Sequence, residues 1–172
     1  DVQFIITDNG EVRDVTVVIL TGGWGDSPVE SALRAGHQAA ARDLVDTLAS
    51  LDRVGRVIVA ADDPIWAGML GGPPAMVDVD APGGTFHFGR RLTGIIERYG
   101  LGRVLYTGAG SAPLLETGDW MEVLDRLVSA DPIVVTNNLH SCDWAGFTRA
   151  EEAAALIAPQ TKDNGIAWTL VN

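Results

Sequence analysis

The most apolar run of the chain, Val15–Thr21, ends in a turn that is rich in glycine. Glycine lets the backbone turn sharply and leaves several N–H groups exposed to oxyanions. A helical pattern follows the turn, and a helix N-terminus stabilises a nearby negative charge by roughly 0.3–1 kcal/mol. We therefore predict that the turn contacts a phosphorylated ligand and that its tryptophan stacks on a base. The predicted contacts are Gly22, Gly23, Trp24, Gly25 and Asp26.

A second glycine turn follows the run Arg103–Thr107. Because ligands gather at the carboxyl ends of parallel strands, the two turns are predicted to face each other across a cleft. The predicted contacts in the second turn are Gly108, Gly110 and Ser111. The first turn has neither the Gly-x-Gly-x-x-Gly spacing nor that of a Walker A loop, so dinucleotide and P-loop chemistry are not indicated. The alternative is that the glycines merely join two elements.

The densest polar cluster follows the run Ile133–Thr136. Its amides, Asn137 and Asn138, are predicted to contact a base, a sugar or an acceptor. His140 and Asp143 are predicted to form a catalytic proton-transfer pair, because an imidazole titrates near neutral pH. The alternative is an asparagine-rich turn whose side chains satisfy their own backbone. The sequence leaves both interpretations open.

Three further residues have a second, structural interpretation. His37 lies within the first predicted helix and is expected to be a surface or packing residue. His87 precedes a helix and is a lesser candidate for a phosphate contact. Lys162 is the only lysine of the chain, and its segment is expected to cap the final helix.

The composition excludes several classes of function. The formal charge is −11, from 23 acidic and 12 basic residues. Nucleic-acid binding needs a basic face, so we exclude nucleic acids and anionic membrane surfaces as partners. No apolar run is long enough to cross a bilayer. The single cysteine, Cys142, cannot form an internal disulfide, which fits a reducing compartment, and we predict a cytoplasmic protein.

Apolar runs alternate with helical patterns, which predicts an α/β fold: a three-layer α/β/α sandwich around a mostly parallel, mixed sheet. The predicted strands are Val2–Thr7, Val15–Thr21, Arg56–Ala61, Met76–Val79, Arg103–Thr107 and Ile133–Thr136. The predicted helices are Ser31–Leu51, Pro64–Leu70, Phe86–Tyr99, Asp119–Val128, Arg149–Ile157 and Asn164–Val171. The Asp-Asn-Gly sequence at positions 8–10 indicates a hairpin turn, so the N-terminal strand is predicted to be an antiparallel edge.

Capping residues predict two helix starts. Thr148 with Glu151 has the capping-box pattern, and Asp119 is the expected cap of the helix after the second glycine turn. At 172 residues, the chain is predicted to form a single domain, 1–172. Asp1 is not an initiator methionine and the last helix is cut at Asn172, so we expect that either end could be truncated. Nothing indicates an oligomeric state.

Three segments carry a resemblance to a known family. Thr21–Gly23 is similar to the Ala-Gly-Gly that ends the first strand there, and Ser111–Leu115 occupies the place of its Asp-x-Pro-Leu-Leu. Ala41–Pro64 is similar to the family's first helix and second strand. In this order the segments resemble the nucleotidyltransferases of the glycosyltransferase-A type, especially the molybdenum-cofactor and phospholactate guanylyltransferases.

The resemblance implies a nucleotide-diphospho-sugar transferase type of fold and a Mg²⁺ held by carboxylates. The chain departs from the family's pattern at two places. Ser111 stands where the metal-ligating aspartate is expected, and a hydroxyl is a poorer Mg²⁺ ligand. The first loop has no lysine, and Arg34 is its closest cation. The carboxylates that could hold the metal instead are Asp26, Asp62, Asp119 and Asp143.

The leading hypothesis is therefore a Mg²⁺-dependent nucleotidyltransferase. It would transfer a nucleoside monophosphate from a nucleoside triphosphate to a small phosphorylated or hydroxylated acceptor and release pyrophosphate. The alternative is a non-catalytic nucleotide or sugar-nucleotide binding domain that kept the fold and lost the metal site. A third possibility is a pterin-binding domain, because such domains also end a strand in Thr-Gly-Gly.

Overall fold

A computed structural model describes residues 5–6, 12–13, 15–70, 75–80 and 85–172. The strands are β1 (Ile5–Ile6), β2 (Val12–Arg13), β3 (Val15–Thr21), β4 (Val54–Ala61), β5 (Ala75–Val79), β6 (Arg103–Gly108), β7 (Val134–Thr136) and β8 (Trp144–Thr148). The helices are α1 (Pro28–Ala49), α2 (Pro64–Leu70), α3 (Phe88–Tyr99), α4 (Thr117–Ser129), α5 (Ala150–Ile157) and α6 (Ile166–Val171). No helix in the described ranges is long and apolar enough to cross a membrane.

Six strands form one sheet in the order β5-β4-β3-β6-β8-β7. The first four are parallel to one another, whereas β8 runs antiparallel to both β6 and β7. The predicted α/β fold with a mostly parallel, mixed sheet is therefore confirmed. β3 lies inside this sheet because Val15–Ile19 is apolar on both faces of the strand, and every β-branched residue of that stretch is buried.

Two hydrophobic clusters cover the two faces of the sheet, as the alternation of strand side chains requires. Val17 and Ile19 point to the face that packs against α1, α2 and α4. Val18 points to the opposite face, which α3, α5 and α6 cover. The result is the expected arrangement of helix layer, sheet and helix layer.

The sequence did not predict β8, and this changes the start of the next helix. Thr148, expected as a helix cap, is the last residue of β8. Its hydroxyl accepts the N–H of Ile133 (3.1 Å) and donates to Asp131 (3.0 Å). Arg149 is the N-cap of α5 and has φ of 52° with no capping side chain. The capping-box prediction at Thr148 was therefore wrong, because the hydroxyl serves a strand-to-strand connection.

Other predicted boundaries moved by a few residues. α1 begins earlier than expected, because Ser27 and Glu30 form a capping box there. Glu116, not Asp119, is the N-cap of α4; the Asp119 carboxylate accepts the Glu116 N–H at 2.8 Å. β1 and β2 form an antiparallel pair separate from the main sheet. The predicted hairpin turn at residues 8–10 lies outside the described residues.

Candidate functional site

A cavity of about 810 Å³ opens at the carboxyl ends of β3, β4, β5 and β6. Both glycine turns lie on its wall, Gly22 and Gly23 after β3 and Gly108 and Gly110 at the end of the neighbouring strand β6. The rings on its wall belong to Trp24, His37, Phe86, Phe88 and Tyr106. Its charged residues are Asp62, Asp80, Arg91, Lys162 and Asp163.

Strand register explains why these residues meet. Thr21 pairs with Ala61, the last residue of β4, so the residue that follows β4, Asp62, lies beside Gly22. Ala61 pairs with Val79 in turn, which brings the residue after β5 to the same edge. On the other side of β3, the carbonyl of Leu20 accepts the N–H of Ala109 at 3.0 Å. The three connections that follow β3, β4 and β6 therefore converge without long loops.

In the first turn, a carboxylate of the protein approaches the glycines closely. The Gly23 N–H donates to Asp62 Oδ2 at 2.7 Å. A Cβ on Gly22 would lie 2.5–2.8 Å from the Asp62 carboxylate, and Gly22 has φ of +147°. Gly23, at φ of +81°, has nothing within 4 Å of its Cβ position. Only the Gly23 side of this turn is therefore open to a ligand.

The remainder of the first turn is held by two side chains of α1. Glu30 accepts the N–H groups of Gly25 and Ser27, each at 3.2 Å. The Ser27 hydroxyl and backbone N–H together hold the pKa of Glu30 below its ordinary value, despite a small opposing effect of burial. Arg34 donates to the carbonyls of Trp24 (3.1 Å) and Gly25 (2.7 Å). The closest cation of the first loop is thus engaged in shaping it.

Two residues predicted to contact the ligand in this turn do not lie on the cavity wall. Gly25 uses its N–H for Glu30. Asp26 is fully exposed and forms an ion pair with Arg34 at 3.5 Å. Gly22, Gly23 and Trp24 do line the cavity, as do Gly108, Gly110 and Ser111 of the second turn.

His37, which the sequence assigned to packing, lies where the two turns meet. Its ring centroid is 4.7 Å from that of Trp24, at an interplanar angle of 59°. A Cβ on Gly110 would lie 2.8 Å from His37 Cε1, so the glycine is required for this contact. The side chain also lines the cavity. Its position depends on the contact of α1 with both turns, which no local pattern encodes.

Arg91, which lines the cavity, is held by two aspartates. It donates to the Asp78 carboxylate (2.5 Å) and to the Asp78 carbonyl (2.6 Å), and it pairs with Asp80. Burial alone would raise the pKa of Asp78, but hydrogen bonds from Arg91, Arg98 and Tyr99 outweigh it and lower that pKa. The positive charge of Arg91 is therefore largely neutralised within the protein.

The pKa of Asp80 is raised, in contrast to that of Asp78. Burial raises its pKa, and the nearby charges of Asp62 and Asp78 act in the same direction, while Arg91 opposes them. Its buried Oδ1 atom forms the ion pair with Arg91 Nε. Asp80 is thus a carboxylate on the cavity wall that is held by Arg91.

The connection between α5 and α6 completes the wall with Thr161, Lys162 and Asp163. Cys142 anchors this connection: its N–H donates to the Asn164 carbonyl at 3.1 Å and its thiol to the Asp163 carbonyl at 3.2 Å. Tyr106 lies 3.2 Å from the same sulfur, and burial raises the pKa of its phenol. The sequence assigned this segment to a helix cap. That was wrong, because α6 begins after Gly165 and no side chain caps it.

The asparagine-rich segment joins β7 to β8 and does not line the cavity. Asn137 and Asp143 exchange two hydrogen bonds, at 2.9 and 3.1 Å. Asn138 Oδ1 accepts the N–H groups of His140 (3.0 Å) and Ser141 (3.2 Å). The ring of His140 packs on Trp168, with centroids 4.7 Å apart. These side chains satisfy the turn itself, which corresponds to the second interpretation of the sequence, and the predicted roles of His140, Asp143, Asn137 and Asn138 stay predictions.

The four aspartates expected to bind a metal are separated. Asp62 lines the cavity, whereas Asp26 pairs with Arg34, Asp119 bonds the start of α4 and Asp143 bonds Asn137. In the described part of the chain, no three His, Cys, Asp or Glu side chains are grouped so as to hold a metal. Mg²⁺ in nucleotide sites is usually held by one or two carboxylates together with phosphate oxygens. Asp62, with Oδ1 not bonded to any described residue, fits that requirement.

Solved structures share this fold. A nucleotide-diphospho-sugar transferase from Desulfovibrio desulfuricans G20 matches with a TM-score of 0.65 and 14% identity, over 91% of this chain and 73% of that chain. A nucleotidyl transferase from Methanothermobacter matches with a TM-score of 0.61 and 14% identity, over 91% and 80%. CMP:2-keto-3-deoxy-manno-octonic acid synthetase, solved in complex with CTP, matches with a TM-score of 0.58 and 11% identity, over 92% and 83%.

At 11–14% identity, these likenesses show a common fold. The fold is therefore that of the nucleotide-diphospho-sugar transferases and the nucleotidyltransferases that share their architecture. No protein-family model matches the sequence. The comparison with curated proteins gives no significant match.

Proposed function

We propose that the protein binds a nucleoside triphosphate in the cavity and transfers its nucleoside monophosphate to a small phosphorylated or hydroxylated acceptor. One observation carries this proposal: two glycine turns, at Gly22–Gly23 and Gly108–Gly110, open onto one cavity of about 810 Å³ at the carboxyl edge of the sheet. Ligands of open α/β sheets bind at this edge. The likeness of the fold to a synthetase solved with CTP supports the same assignment.

The cavity has groups for each part of a nucleotide. Trp24 and the exposed Phe86 offer ring faces on which a base can stack. The open face of Gly23 allows a phosphate to approach the backbone. Lys162 supplies a positive charge on the cavity wall. In the reaction, an acceptor oxygen bonds to the α-phosphorus as the bond from that phosphorus to the bridging oxygen breaks, and pyrophosphate leaves.

The charge of the cavity favours a divalent cation as a further component. Three carboxylates line the cavity, of Asp62, Asp80 and Asp163, while Arg91 is neutralised within the protein. A triphosphate would face this negative charge with little compensation from side chains. Asp62 would hold Mg²⁺, which would neutralise charge on the triphosphate and on the departing pyrophosphate.

We also propose that the protein is related to the molybdenum-cofactor and phospholactate guanylyltransferases, which its sequence resembles. The alternative, a nucleotide or sugar-nucleotide binding domain without turnover, is favoured by one observation. Ser111 stands on the cavity wall where that family has its metal-ligating aspartate, and the turn before α1 contains no lysine. Titration with nucleoside triphosphates, with and without Mg²⁺, distinguishes the enzyme from the binding domain.

Isothermal titration with the four nucleoside triphosphates, each with and without Mg²⁺, tests the proposal. For the enzyme we expect binding that Mg²⁺ tightens, together with pyrophosphate release when candidate phosphorylated acceptors are added. Binding that is independent of Mg²⁺, without pyrophosphate release, would support the binding domain. Absence of binding by all four triphosphates would contradict both, and binding of a pterin instead would assign the cavity to that ligand.

A further inference from the structure

His37 differs from the other two histidines of the chain in where its ring nitrogens lie. His87 is the N-cap of α3, and its Nδ1 accepts the Arg90 N–H at 3.3 Å. His140 packs on Trp168 away from the cavity. His37 lines the cavity, and neither of its ring nitrogens has a hydrogen-bond partner among the described residues. A half-buried imidazole with two unused nitrogens is available to a ligand.

The ring of His37 is also fixed in position by both glycine turns. It packs on Trp24 of the first turn, at 4.7 Å between centroids. A Cβ on Gly110 of the second turn would lie 3.2 Å from each of the two ring nitrogens. A ligand that spans the two turns therefore passes the imidazole.

The other basic side chains near the first turn are already engaged. Arg34 donates to the carbonyls of Trp24 and Gly25. Arg91 donates to Asp78 and pairs with Asp80. In the described part of the cavity wall, Lys162 is a cation that no protein carboxylate or carbonyl holds, and His37 is an imidazole without a hydrogen-bond partner.

We propose that His37 binds the polyphosphate of the nucleotide, donating a hydrogen bond from its imidazolium to a phosphate oxygen at the junction of the two turns. This inference rests on the proposed function. Because a protonated imidazole donates from both nitrogens and carries a positive charge, the contact is stronger at a pH where His37 is protonated.

The other charged groups that face the cavity come from several elements. They are Asp62 after β4, Asp80 after β5, Arg91 on α3, and Lys162 and Asp163 before α6. Arg34, on α1, bonds the carbonyls of the first turn. Of these, Asp80 has a raised pKa, and its protonation at low pH would also favour an anionic ligand. A variant that changes only His37 separates the two contributions.

The test is titration of the wild-type protein and of His37→Gln with GTP and with CTP, at about pH 6 and about pH 8, with Mg²⁺ held constant. For the wild type we expect tighter binding at the lower pH. In His37→Gln we expect affinity at pH 6 to fall by roughly tenfold, the scale of one partly exposed charge-assisted hydrogen bond. The pH dependence should become correspondingly flatter.

Two further variants control for structure. Arg42→Gln removes an exposed cation of the same helix that does not line the cavity, so it should bind as the wild type does. His37→Lys restores a cation at both pH values, and we expect it to recover most of the affinity at pH 8 and pH 6. Recovery in His37→Lys would exclude loss of packing on Trp24 as the reason for weaker binding.

The outcomes separate this inference from the function on which it rests. If the wild type binds a triphosphate and His37→Gln keeps both its affinity and its pH dependence, the role of His37 is refuted and the proposed function stands. If His37→Gln weakens binding equally at both pH values and His37→Lys does not recover it, His37 is a packing residue. If the wild type binds no triphosphate, the proposed function and this inference fall together.

Discussion

In the first glycine turn, Gly23 leaves space for a ligand, whereas Gly22 leaves space for a side chain of the protein itself. Gly22 is a glycine because the Asp62 carboxylate lies where a side chain would be, 2.5–2.8 Å from the Cβ position. Gly23 has no such neighbour, yet its φ of +81° lies in the region that side chains disfavour. The two adjacent positions thus require glycine for different physical reasons, and only Gly23 leaves an open backbone surface.

Gly23→Ala should therefore weaken nucleotide binding more than it weakens the fold. A methyl group on the open face would block close approach, and we expect affinity for a triphosphate to fall by about tenfold or more, the effect of losing one charge-assisted contact. The positive φ should lower the free energy of unfolding by only about 1–2 kcal/mol. Titration calorimetry and urea unfolding measure the two effects.

Gly36→Ala is the matched control. Gly36 lies within α1, is exposed, and has nothing within 4 Å of its Cβ position. Alanine there should raise the free energy of unfolding by about 0.5–1 kcal/mol and leave affinity unchanged. Equal affinities of Gly23→Ala and the wild type would show that ligand does not approach this turn.

At the scale of elements, the contact of α3 with the end of α5 determines where the wall bearing Lys162 lies. The Gly89 N–H donates to the Gln160 carbonyl at 2.8 Å, and the Phe88 N–H donates to the Thr161 carbonyl at 3.3 Å. A Cβ on Gly89 would collide with the carbonyls of Ile157 and Gln160. The first turn of α3 therefore packs backbone to backbone against the segment that leads into the cavity.

Gly89→Ala should be strongly destabilising, because the obstructing atoms are backbone oxygens that cannot rotate away. We expect a loss of about 2–4 kcal/mol in the free energy of unfolding, typical of an overpacked buried site. Gly94→Ala, on the same helix with nothing within 4 Å of its Cβ position, should be neutral or stabilising by up to about 1 kcal/mol. Urea unfolding of both variants checks this, and similar stabilities would mean that α3 does not pack this closely.

At the scale of the molecule, the protein is an anion that is proposed to bind an anion. The formal charge is −11, and carboxylates outnumber free cations on the cavity wall. Long-range repulsion must therefore oppose the encounter with a triphosphate, and the contacts that overcome it must be of short range.

Added salt should accordingly accelerate association, in contrast to binding sites with a basic field. Raising NaCl from about 20 to about 200 mM shortens the Debye length severalfold, and we expect the association rate of a metal-free triphosphate to rise by about twofold or more. The corresponding uncharged nucleoside is the control, and its association rate should not change. Stopped-flow measurement of intrinsic tryptophan fluorescence, to which Trp24 on the cavity wall contributes, is suitable. An association rate that falls with salt would contradict the expectation.

How much of the fold and of the candidate site the sequence predicts depends on whether the interactions involved are local or tertiary. The strand Val15–Thr21 and its glycine turn are local patterns, and both were predicted where they occur. β8 escaped prediction because Trp144–Thr148 is short, contains a glycine and follows a polar turn; its pairing with β6 and β7 makes it a strand. His37 and Lys162 reach the cavity only through tertiary contacts, since one lies within a long helix and the other in a loop anchored by Cys142.

Because the Gly23 N–H already donates to Asp62, a nucleotide that uses this N–H must displace the carboxylate. A phosphate oxygen can accept that N–H only after the carboxylate has given it up, so entry of the nucleotide is an exchange of one anion for another. The displaced carboxylate loses a donor, and a divalent cation arriving with the nucleotide would replace it. Reciprocity then requires that nucleotide and cation raise each other's affinity by the same factor, whichever of the two binds first.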